Sequence, residues 1–208
     1  MAPFDRIRPL LAPWGRLQPQ PASDWQGSFT LPTILESFYR EVGPWGETWH
    51  ASVGPVGLAI NAGGNPVDVP PLHKLWARQD GYAWSRNPDN PIKGWPAHWL
   101  VIAQEGANPF ILDRDDGSVW FDLAGRGHYN DPSRFADDLP TALGAIATVA
   151  NALAALGHDA LDDTYELKAS SRAQVARALA AFTGNEATAQ GMLQAWRWPW
   201  VAPSTTHA

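Results

Sequence analysis

The chain has no cysteine among its 208 residues. This absence excludes disulfide bonds, thiolate metal sites and cysteine nucleophiles, and it fits a reducing compartment. Basic residues are also scarce, since 15 lysines and arginines face 21 acidic residues, which gives a net charge of -6. We therefore expect no direct binding of nucleic acid, because that binding depends on clustered lysine and arginine.

Long apolar runs and targeting features are missing as well. The chain has no uncharged apolar run of about 18 residues, and its longest alanine-rich stretch, Thr141–Leu156, is too short to span a bilayer. Near the N-terminus, Asp5 precedes the first arginines and prolines interrupt the apolar residues, so no signal-peptide core forms. We expect a cytoplasmic protein without a membrane partner.

Motifs for catalysis are absent. The chain has no Gly-x-Ser-x-Gly nucleophile elbow, no Gly-x-x-x-x-Gly-Lys phosphate loop and no Gly-x-Gly-x-x-Gly fingerprint. The histidines considered as metal ligands do not pair at helical spacing: His50, His73, His98 and His128. Asp113–Gly117 reaches its glycine one position too early for a calcium loop and lacks the closing glutamate. We expect no catalytic residue, no cofactor and no metal.

The strongest pattern in the chain lies between residues 95 and 122, where apolar runs alternate with turn residues. It predicts three strands: Trp99–Ala103, Phe110–Leu112 and Ser118–Phe121. Glu105–Asn108 is typical of a turn between the first two strands. Asp116-Gly117 predicts a hairpin between the last two, because glycine accepts the positive φ that a tight turn requires. The pattern therefore predicts a small antiparallel sheet.

Other elements flank this sheet. A helix is predicted over Leu31–Val42, short strands over Trp49–Val53 and Val56–Ile60, a short helix over Leu72–Arg78 and a loop over Gly81–Gly94. Three alanine-rich helices are predicted over Ser133–Leu156, Ser170–Phe182 and Glu186–Trp196. Together these elements predict an α+β fold in which a small, mainly antiparallel sheet packs against helices, with extra helices at the C-terminal side.

Composition divides the chain into four segments. Residues 1–30 are rich in proline and are predicted to form an extended arm that lies on the domain through Trp14 and Trp25. Residues 31–156 are predicted to form the α+β domain, residues 157–200 a helical extension and residues 201–208 a tail. The extension is expected either to cover a sheet edge or to support a homodimer.

This arrangement resembles the SUKH superfamily, whose members include bacterial immunity proteins and a fungal cell-wall-synthesis regulator. The residues that carry the resemblance are Leu31–Tyr39, Trp99–Glu105, Phe110–Asp113, Val119–Asp122 and Ser133–Leu139. The chain departs from the family at Val42–Gly46, where the family typically has Asn-Gly after its opening helix. The resemblance implies a non-catalytic immunity protein that binds a cognate toxin one to one and blocks its active surface.

Acidic and aromatic residues supply a candidate surface for such a partner. Aspartates cluster around the hairpin and again within residues 159–166, and each cluster is either a solvated turn or a face that docks on a basic protein. Loop position, charge and aromatic character select the predicted toxin-binding residues: Tyr82, Trp84, Trp95, Asp113, Asp115, Asp116 and Asp122.

The 12 tryptophans require a separate interpretation. Tryptophan fills cores and also anchors interfaces, so composition alone does not separate the two roles. Core packing is favoured for Trp99 and Trp120, which lie inside predicted strands. Both roles stay open for the tryptophans in loops or near the C-terminus: Trp45, Trp84, Trp95, Trp196, Trp198 and Trp200.

Two other functions stay open on the sequence. A regulatory scaffold of the cell-wall-regulator type would bind several endogenous proteins instead of one toxin. A carbohydrate-binding or carbohydrate-processing protein would combine aromatic rings with two acids that flank a sugar bond. The acids considered for that role are Glu36, Glu41, Asp113 and Asp122.

Overall fold

The computed structural model describes residues 3–48, 50–123 and 132–199. Some predictions lie outside these ranges: Trp49 in the first predicted strand, His128 within residues 124–131, Trp200 and the tail 201–208. Within the described residues, helices pack against an antiparallel sheet, which confirms the predicted α+β class.

The described elements follow one another along the whole chain. The helices are α1 (Arg8–Leu11), α2 (Thr33–Glu41), α3 (Leu72–Leu75), α4 (Leu139–Leu156), α5 (Ala169–Thr183) and α6 (Glu186–Trp196). The strands are β1 (Leu58–Ile60), β2 (Val67–Val69), β3 (Trp84–Ser85), β4 (Asn87–Pro91), β5 (Trp99–Glu105), β6 (Asn108–Asp113), β7 (Val119–Phe121) and β8 (Ser133–Ala136). A six-stranded sheet has the order β1-β2-β5-β6-β7-β8, and β3 pairs with β4 separately.

The three strands predicted from the strongest sequence pattern are confirmed. β5, β6 and β7 pair antiparallel in chain order. The turn after β5 contains Gly106 at φ +60°, and the turn after β6 contains Gly117 at φ +80°. Gly117 N–H donates to Asp113 O at 2.9 Å, which closes the second hairpin at the Asp-Gly pair. Both turns use the left-handed backbone region that glycine adopts without steric cost.

The central strands present two different faces. Side chains in a strand alternate between the faces of a sheet, and one face contributes to the core shared with the helices through Leu100, Phe110, Leu112, Val119 and Phe121. The register aligns Val101, Ile111 and Trp120 on the other face. Trp99 and Asp113 are paired one step further along this second face, where β5 begins and β6 ends. The second face carries the candidate site.

A glutamine side chain connects α3 to this sheet. β2 pairs with β5 at Gln104 and Glu105. Nearer the start of β5, Gln79 Nε2 donates to Val101 O and Gln79 Oε1 accepts from Val101 N–H, both at 2.8 Å. Gln79 lies in the 3₁₀ turn Ala77–Gln79 and is 1% exposed. Its amide satisfies both backbone groups as a neighbouring strand would.

The N-terminal segment is not an extended arm. It contains α1 and two 3₁₀ turns, and its apolar residues Phe4, Ile7 and Leu11 are fully buried in the core. The prediction was wrong because prolines were taken as a mark of extended chain. Pro9 and Pro13 instead occupy first turns of helices, where a missing N–H costs no hydrogen bond.

The three C-terminal helices are confirmed, with local signals at their ends. Asp138 caps α4 by accepting from Thr141 N–H at 2.7 Å, and Asn185 caps α6 by accepting from Thr188 N–H at 3.0 Å. Gly184 ends α5 at φ +71°. The start predicted for the first of these helices was wrong, because residues 133–136 form β8 beside β7.

The C-terminal helices belong to the same core as the sheet. Trp196 is 1% exposed, and its ring lies edge-on to Phe110 at a centroid distance of 5.6 Å. Its Nε1 donates to Glu105 Oε2 at 3.0 Å. Trp198 is also buried and donates to Ala62 O at 2.6 Å. These two tryptophans are therefore core residues and not exposed anchors. Of the two roles expected for the C-terminal extension, covering a sheet edge is observed, because α6 packs against the edge strand β8. A homodimer stays a prediction.

Other local predictions were wrong. Residues 50–53, predicted as a strand, form turns, and the next strand begins at Leu58 instead of Val56. The predicted loop 81–94 contains the β3–β4 hairpin, whose second strand is exposed along its length. β2 was not predicted. These strands are short, so pairing with neighbours determines them more than local sequence does.

The stretch Thr141–Leu156, predicted to be too short to span a bilayer, lies within helix α4. Together with the 3₁₀ turn that follows it, Leu139–Ala160 spans 22 residues at a mean hydropathy of 1.6, so by length and composition it could cross a membrane. Half of its most apolar stretch is buried within the fold. The core helix of a soluble protein has the same properties, so the finding is weak evidence for a membrane span.

Candidate functional site

The turn between β6 and β7 is built by its own carboxylates. Asp113 Oδ1 accepts from Asp115 N–H at 2.9 Å, and Asp116 Oδ1 accepts from Ser118 N–H at 2.8 Å. In each case a short acidic side chain bonds the backbone two residues on, which stabilises a turn. Asp115 and Asp116 are exposed. The turn therefore presents two adjacent carboxylates to solvent on an ordered frame.

Asp116 is also held by a hydrogen-bond relay. Trp120 Nε1 donates to Ser118 Oγ at 2.8 Å, and Ser118 Oγ donates to Asp116 Oδ1 at 2.5 Å. The hydroxyl of Ser118 and then its backbone N–H lower the pKa of Asp116, and the charges of Arg134 and His98 lower it further. Hydrogen bonds to a carboxylate favour its charged form, so Asp116 is ionised at neutral pH.

The imidazole of His98 lies between two carboxylates of this turn. Its Nε2 is 3.5 Å from Asp113 Oδ2, and its Nδ1 is 3.8 Å from Asp115 Oδ2. The side chain of Asp113 is 15% exposed and that of Asp115 is 78% exposed. Solvent therefore screens the contact with Asp113 less than the contact with Asp115.

Arg114 joins the loop before β5 to the turn. Its backbone N–H donates to His98 O at 2.9 Å, and its Nη2 donates to Ala97 O. Its guanidinium carbon lies 3.9 Å from the centroid of the Phe29 ring, which places the cation over an aromatic face. These contacts fix His98 relative to the carboxylates that surround it.

Three half-buried tryptophans border these charges. The rings of Trp95 and Trp99 meet edge to face at a centroid distance of 5.5 Å, and Trp120 supplies the donor of the relay. Part of each residue remains accessible to solvent. We call the following residues the hairpin face: Trp95, His98, Trp99, Asp113, Asp115, Asp116 and Trp120.

The structure brings four of the seven predicted toxin-binding residues together on the hairpin face. They are Trp95, Asp113, Asp115 and Asp116. Their role in binding a partner stays a prediction. Their proximity follows from the β5–β6 register, which places Asp113 beside Trp99 and so beside the loop that contains Trp95 and His98.

Tyr82 and Trp84 are not exposed anchors, so their selection needs correction. Tyr82 is 5% exposed, and its hydroxyl donates to Ala107 O at 2.7 Å and accepts from Gln104 Nε2 at 2.9 Å. Trp84 is 7% exposed and packs on Trp76 at a centroid distance of 4.4 Å. The segment that contains them folds onto the protein, so a position between regular elements did not mean exposure.

Asp122 is separated from the other acids. It lies after β7, where its N–H donates to Pro109 O, at the end of the β6–β7 pair opposite the Asp113–Gly117 turn. It is 5% exposed, and one of its carboxylate oxygens accepts from Leu123 N–H at 2.8 Å. Its selection as a surface residue beside Asp113 was therefore wrong.

Sequence reasoning did not select three residues of the hairpin face. His98 was considered only as a metal ligand, and Trp99 and Trp120 were assigned to the core. One signal was available, since the turn predicted at Glu105–Asn108 joins β5 to β6 and so brings the start of β5 close to the end of β6. An irregularity between Val101 and Ala103 shifts the register, so that Trp99 pairs with Asp113 and His98 lies close to the turn.

The second acidic cluster is a self-contained turn. Asp162 Oδ1 accepts from the backbone N–H of Thr164 at 2.9 Å and of Glu166 at 3.0 Å. The Thr164 hydroxyl also donates to it, and these bonds lower the pKa of Asp162. This geometry is that of a solvated turn. The hairpin face differs from this cluster because half-buried tryptophans border its carboxylates.

The acids considered for sugar chemistry do not meet as one group. Asp113 and Asp122 lie at opposite ends of the β6–β7 pair. Glu36 and Glu41 lie on α2, where Arg40 contacts them at 3.9 Å and 3.2 Å. The two acids of a glycosidase must flank a single sugar bond. Asp113 and Asp122 therefore do not form such a pair.

Comparison of the chain with protein-family models, curated proteins and solved structures found no match. The resemblance to the SUKH superfamily therefore stays a prediction from sequence.

Proposed function

We propose that the chain is a non-catalytic immunity protein that binds a cognate bacterial toxin one to one, in the cytoplasm, through the hairpin face. The observation that carries the proposal is the exposed Asp115–Asp116 pair beside half-buried tryptophans on an ordered turn. The resemblance to the SUKH superfamily supplies the expectation of a toxin partner.

The composition of the hairpin face supports docking on a basic protein. Interfaces gain most of their affinity from a few aromatic or arginine anchors, and rim charges steer the encounter. Trp95 and Trp99 are half-buried and in contact with each other, and Asp115 and Asp116 are exposed on the same hairpin face. A partner with clustered lysine or arginine around its active surface fits this arrangement.

The rigidity of the turn supports a tight complex. Asp113 and Asp116 already bond the backbone, and Arg114 links the turn to the loop that contains His98. Groups that are fixed before binding lose little conformational entropy when the partner arrives. The carboxylates therefore need little rearrangement to meet a cationic surface.

A regulatory scaffold that binds several endogenous proteins is the alternative within the same binding class. The two proposals differ in stoichiometry and in the identity of the bound proteins. Immunity requires one partner that carries a toxin domain, whereas a scaffold requires several partners in smaller amounts.

The test is purification of the tagged chain from its native host in moderate salt, followed by identification of the bound proteins. We expect one stoichiometric partner with a toxin domain, and coexpression of the chain should restore growth to cells that express that domain. Several substoichiometric endogenous partners would favour the scaffold. A bound toxin domain that remains fully toxic in the presence of the chain would contradict immunity.

A further inference from the structure

Three side chains of metal-ligand types converge at the hairpin face. His98 comes from the loop before β5, Asp113 from the end of β6 and Asp115 from the turn after it. One ring nitrogen of His98 and one oxygen from each carboxylate all lie within 4.8 Å of one another. Imidazole nitrogen and carboxylate oxygen are both common ligands of divalent transition metals.

The spacing is close to what one ion requires. Zinc lies about 2.0–2.2 Å from nitrogen and oxygen ligands, so ligand atoms arranged tetrahedrally around it are about 3.3–3.6 Å apart. The His98 Nε2–Asp113 Oδ2 distance is 3.5 Å. Asp115 is 78% exposed, so its carboxylate has room to rotate toward the same nitrogen.

The frame around the ligands is ordered independently of any ion. Asp113 uses Oδ1 to accept from Asp115 N–H, and its Oδ2 lies toward His98. Arg114 N–H donates to His98 O, and the guanidinium is occupied by the Phe29 ring and by Ala97 O. Arg114 therefore has partners other than the carboxylates of the turn. Ligands that are held in place before the ion arrives bind it more tightly.

We propose that His98, Asp113 and Asp115 bind one divalent transition-metal ion of the zinc type. One imidazole nitrogen and one oxygen from each carboxylate are the protein ligands, and water completes the coordination. Calcium fits less well, because it prefers an all-oxygen shell. The site goes beyond the proposed function and does not rest on it. It differs from the expectation from sequence that the chain binds no metal.

The alternative for the same geometry is a pair of His–Asp contacts without a metal. The two differ in their response to added ions. A metal site takes up zinc saturably and with one equivalent per chain, whereas His–Asp contacts alone do not.

The test is calorimetric titration of the untagged full-length chain with Zn²⁺. We expect one equivalent of zinc per chain. His98→Ala and Asp115→Asn should each weaken binding by about tenfold or more, because mutation even of residues that only support the ligands typically lowers metal affinity by about that factor. Both side chains are substantially exposed, so both variants should fold. His158→Ala is the matched control, because His158 is exposed beside Asp159 in the second acidic cluster. The zinc affinity of this variant should equal that of the wild type.

Saturable binding that His98→Ala leaves unchanged would overturn the proposal, as would an absence of saturable binding by the folded wild type. Equal affinity for Ca²⁺ and Zn²⁺ would also overturn it. The two proposals fail separately, because the zinc titration uses the purified chain alone, whereas the toxin partner is identified by purification from the native host.

Discussion

Gln79 shows how a single side chain can complete a sheet. Its amide bonds both the N–H and the C=O of Val101 and also donates to Leu75 O at 3.0 Å. Replacement by alanine would leave buried backbone groups without partners, each at a cost of about 1–3 kcal/mol. We predict that Gln79→Ala lowers the free energy of unfolding by about 2–4 kcal/mol, measured by urea denaturation.

The control for Gln79 is Gln190→Ala on the exposed side of α6. Surface substitutions usually change stability by less than about 0.5 kcal/mol. A Gln79→Ala variant as stable as Gln190→Ala would show that the amide does not hold β5.

Asp116 provides a prediction about pH. Hydrogen bonds from Ser118 lower its folded-state pKa, so they stabilise the fold above the ordinary aspartate range, and this contribution is lost as the pH falls through the lowered pKa. Ser118→Ala removes the hydroxyl donor and should raise the pKa of Asp116 toward its usual value. The stability difference between wild type and variant should accordingly shrink in acid.

The pKa of Asp116 can be followed by NMR titration of its carboxyl carbon. Asp162 serves as an internal reference, because its pKa is lowered by a separate set of hydrogen bonds and should not respond to Ser118→Ala. If the pKa of Asp116 did not move, the relay from Trp120 through Ser118 would not be formed.

At the residue scale, sequence located acids and aromatic rings but not their exposure. Asp115 and Asp116 were placed on a turn because Asp-Gly has a local conformational signature. Tyr82 and Trp84 were placed in a loop and taken as accessible, whereas partners distant in sequence bury them: Gln104, Ala107 and Trp76. Burial of this kind depends on tertiary contacts that a local pattern does not encode.

At the element scale, Gly144 sets the distance between α4 and its neighbours. A Cβ atom at this position would lie 2.2 Å from Phe182 Cζ and 2.9 Å from Ile7 Cγ2. Overpacking costs about 1–3 kcal/mol, which outweighs the gain of up to about 1 kcal/mol in helix propensity. We predict that Gly144→Ala lowers the free energy of unfolding.

Gly191 in α6 is the matched control, since a Cβ atom there would meet nothing within 4 Å. Gly191→Ala should raise the free energy of unfolding by about 0.5–1 kcal/mol through helix propensity alone. Denaturation of both variants should therefore give shifts of opposite sign. Stabilisation by both substitutions would mean that α4, α5 and the N-terminal segment are not closely packed at Gly144.

The elements that sequence predicted best have strong local signals. α5 and α6 are separated by Gly184 and the Asn185 cap, and β6 and β7 by Asp116-Gly117. β8 was predicted as helix, because its four residues precede an alanine-rich helix and obtain their strand conformation by pairing with β7. Short strands at the edges depend on their neighbours, so a single sequence does not specify them.

At the scale of the whole molecule, one core joins segments that composition had separated. Ile7 near the N-terminus and Trp196 near the C-terminus are both buried in the core that contains Phe110 of the central sheet. The second face of the sheet carries the hairpin face at the end where β5 begins and β6 ends. The fold class was predictable because the central strands and the three C-terminal helices have the expected periods, but the joining of the segments required contacts between residues far apart in sequence.

The most direct test of the docking surface compares charge-neutralised variants in binding to the partner captured from the native host. The hairpin variant Asp115→Asn/Asp116→Asn removes two exposed charges, and Asp159→Asn/Asp163→Asn removes the same charge from the second acidic cluster. Association rates would be measured at low and moderate ionic strength. We predict that the hairpin variant associates about tenfold more slowly and with weaker salt dependence, because steering is lost, whereas the control matches the wild type. Equal rates for the hairpin variant and the wild type would contradict the account.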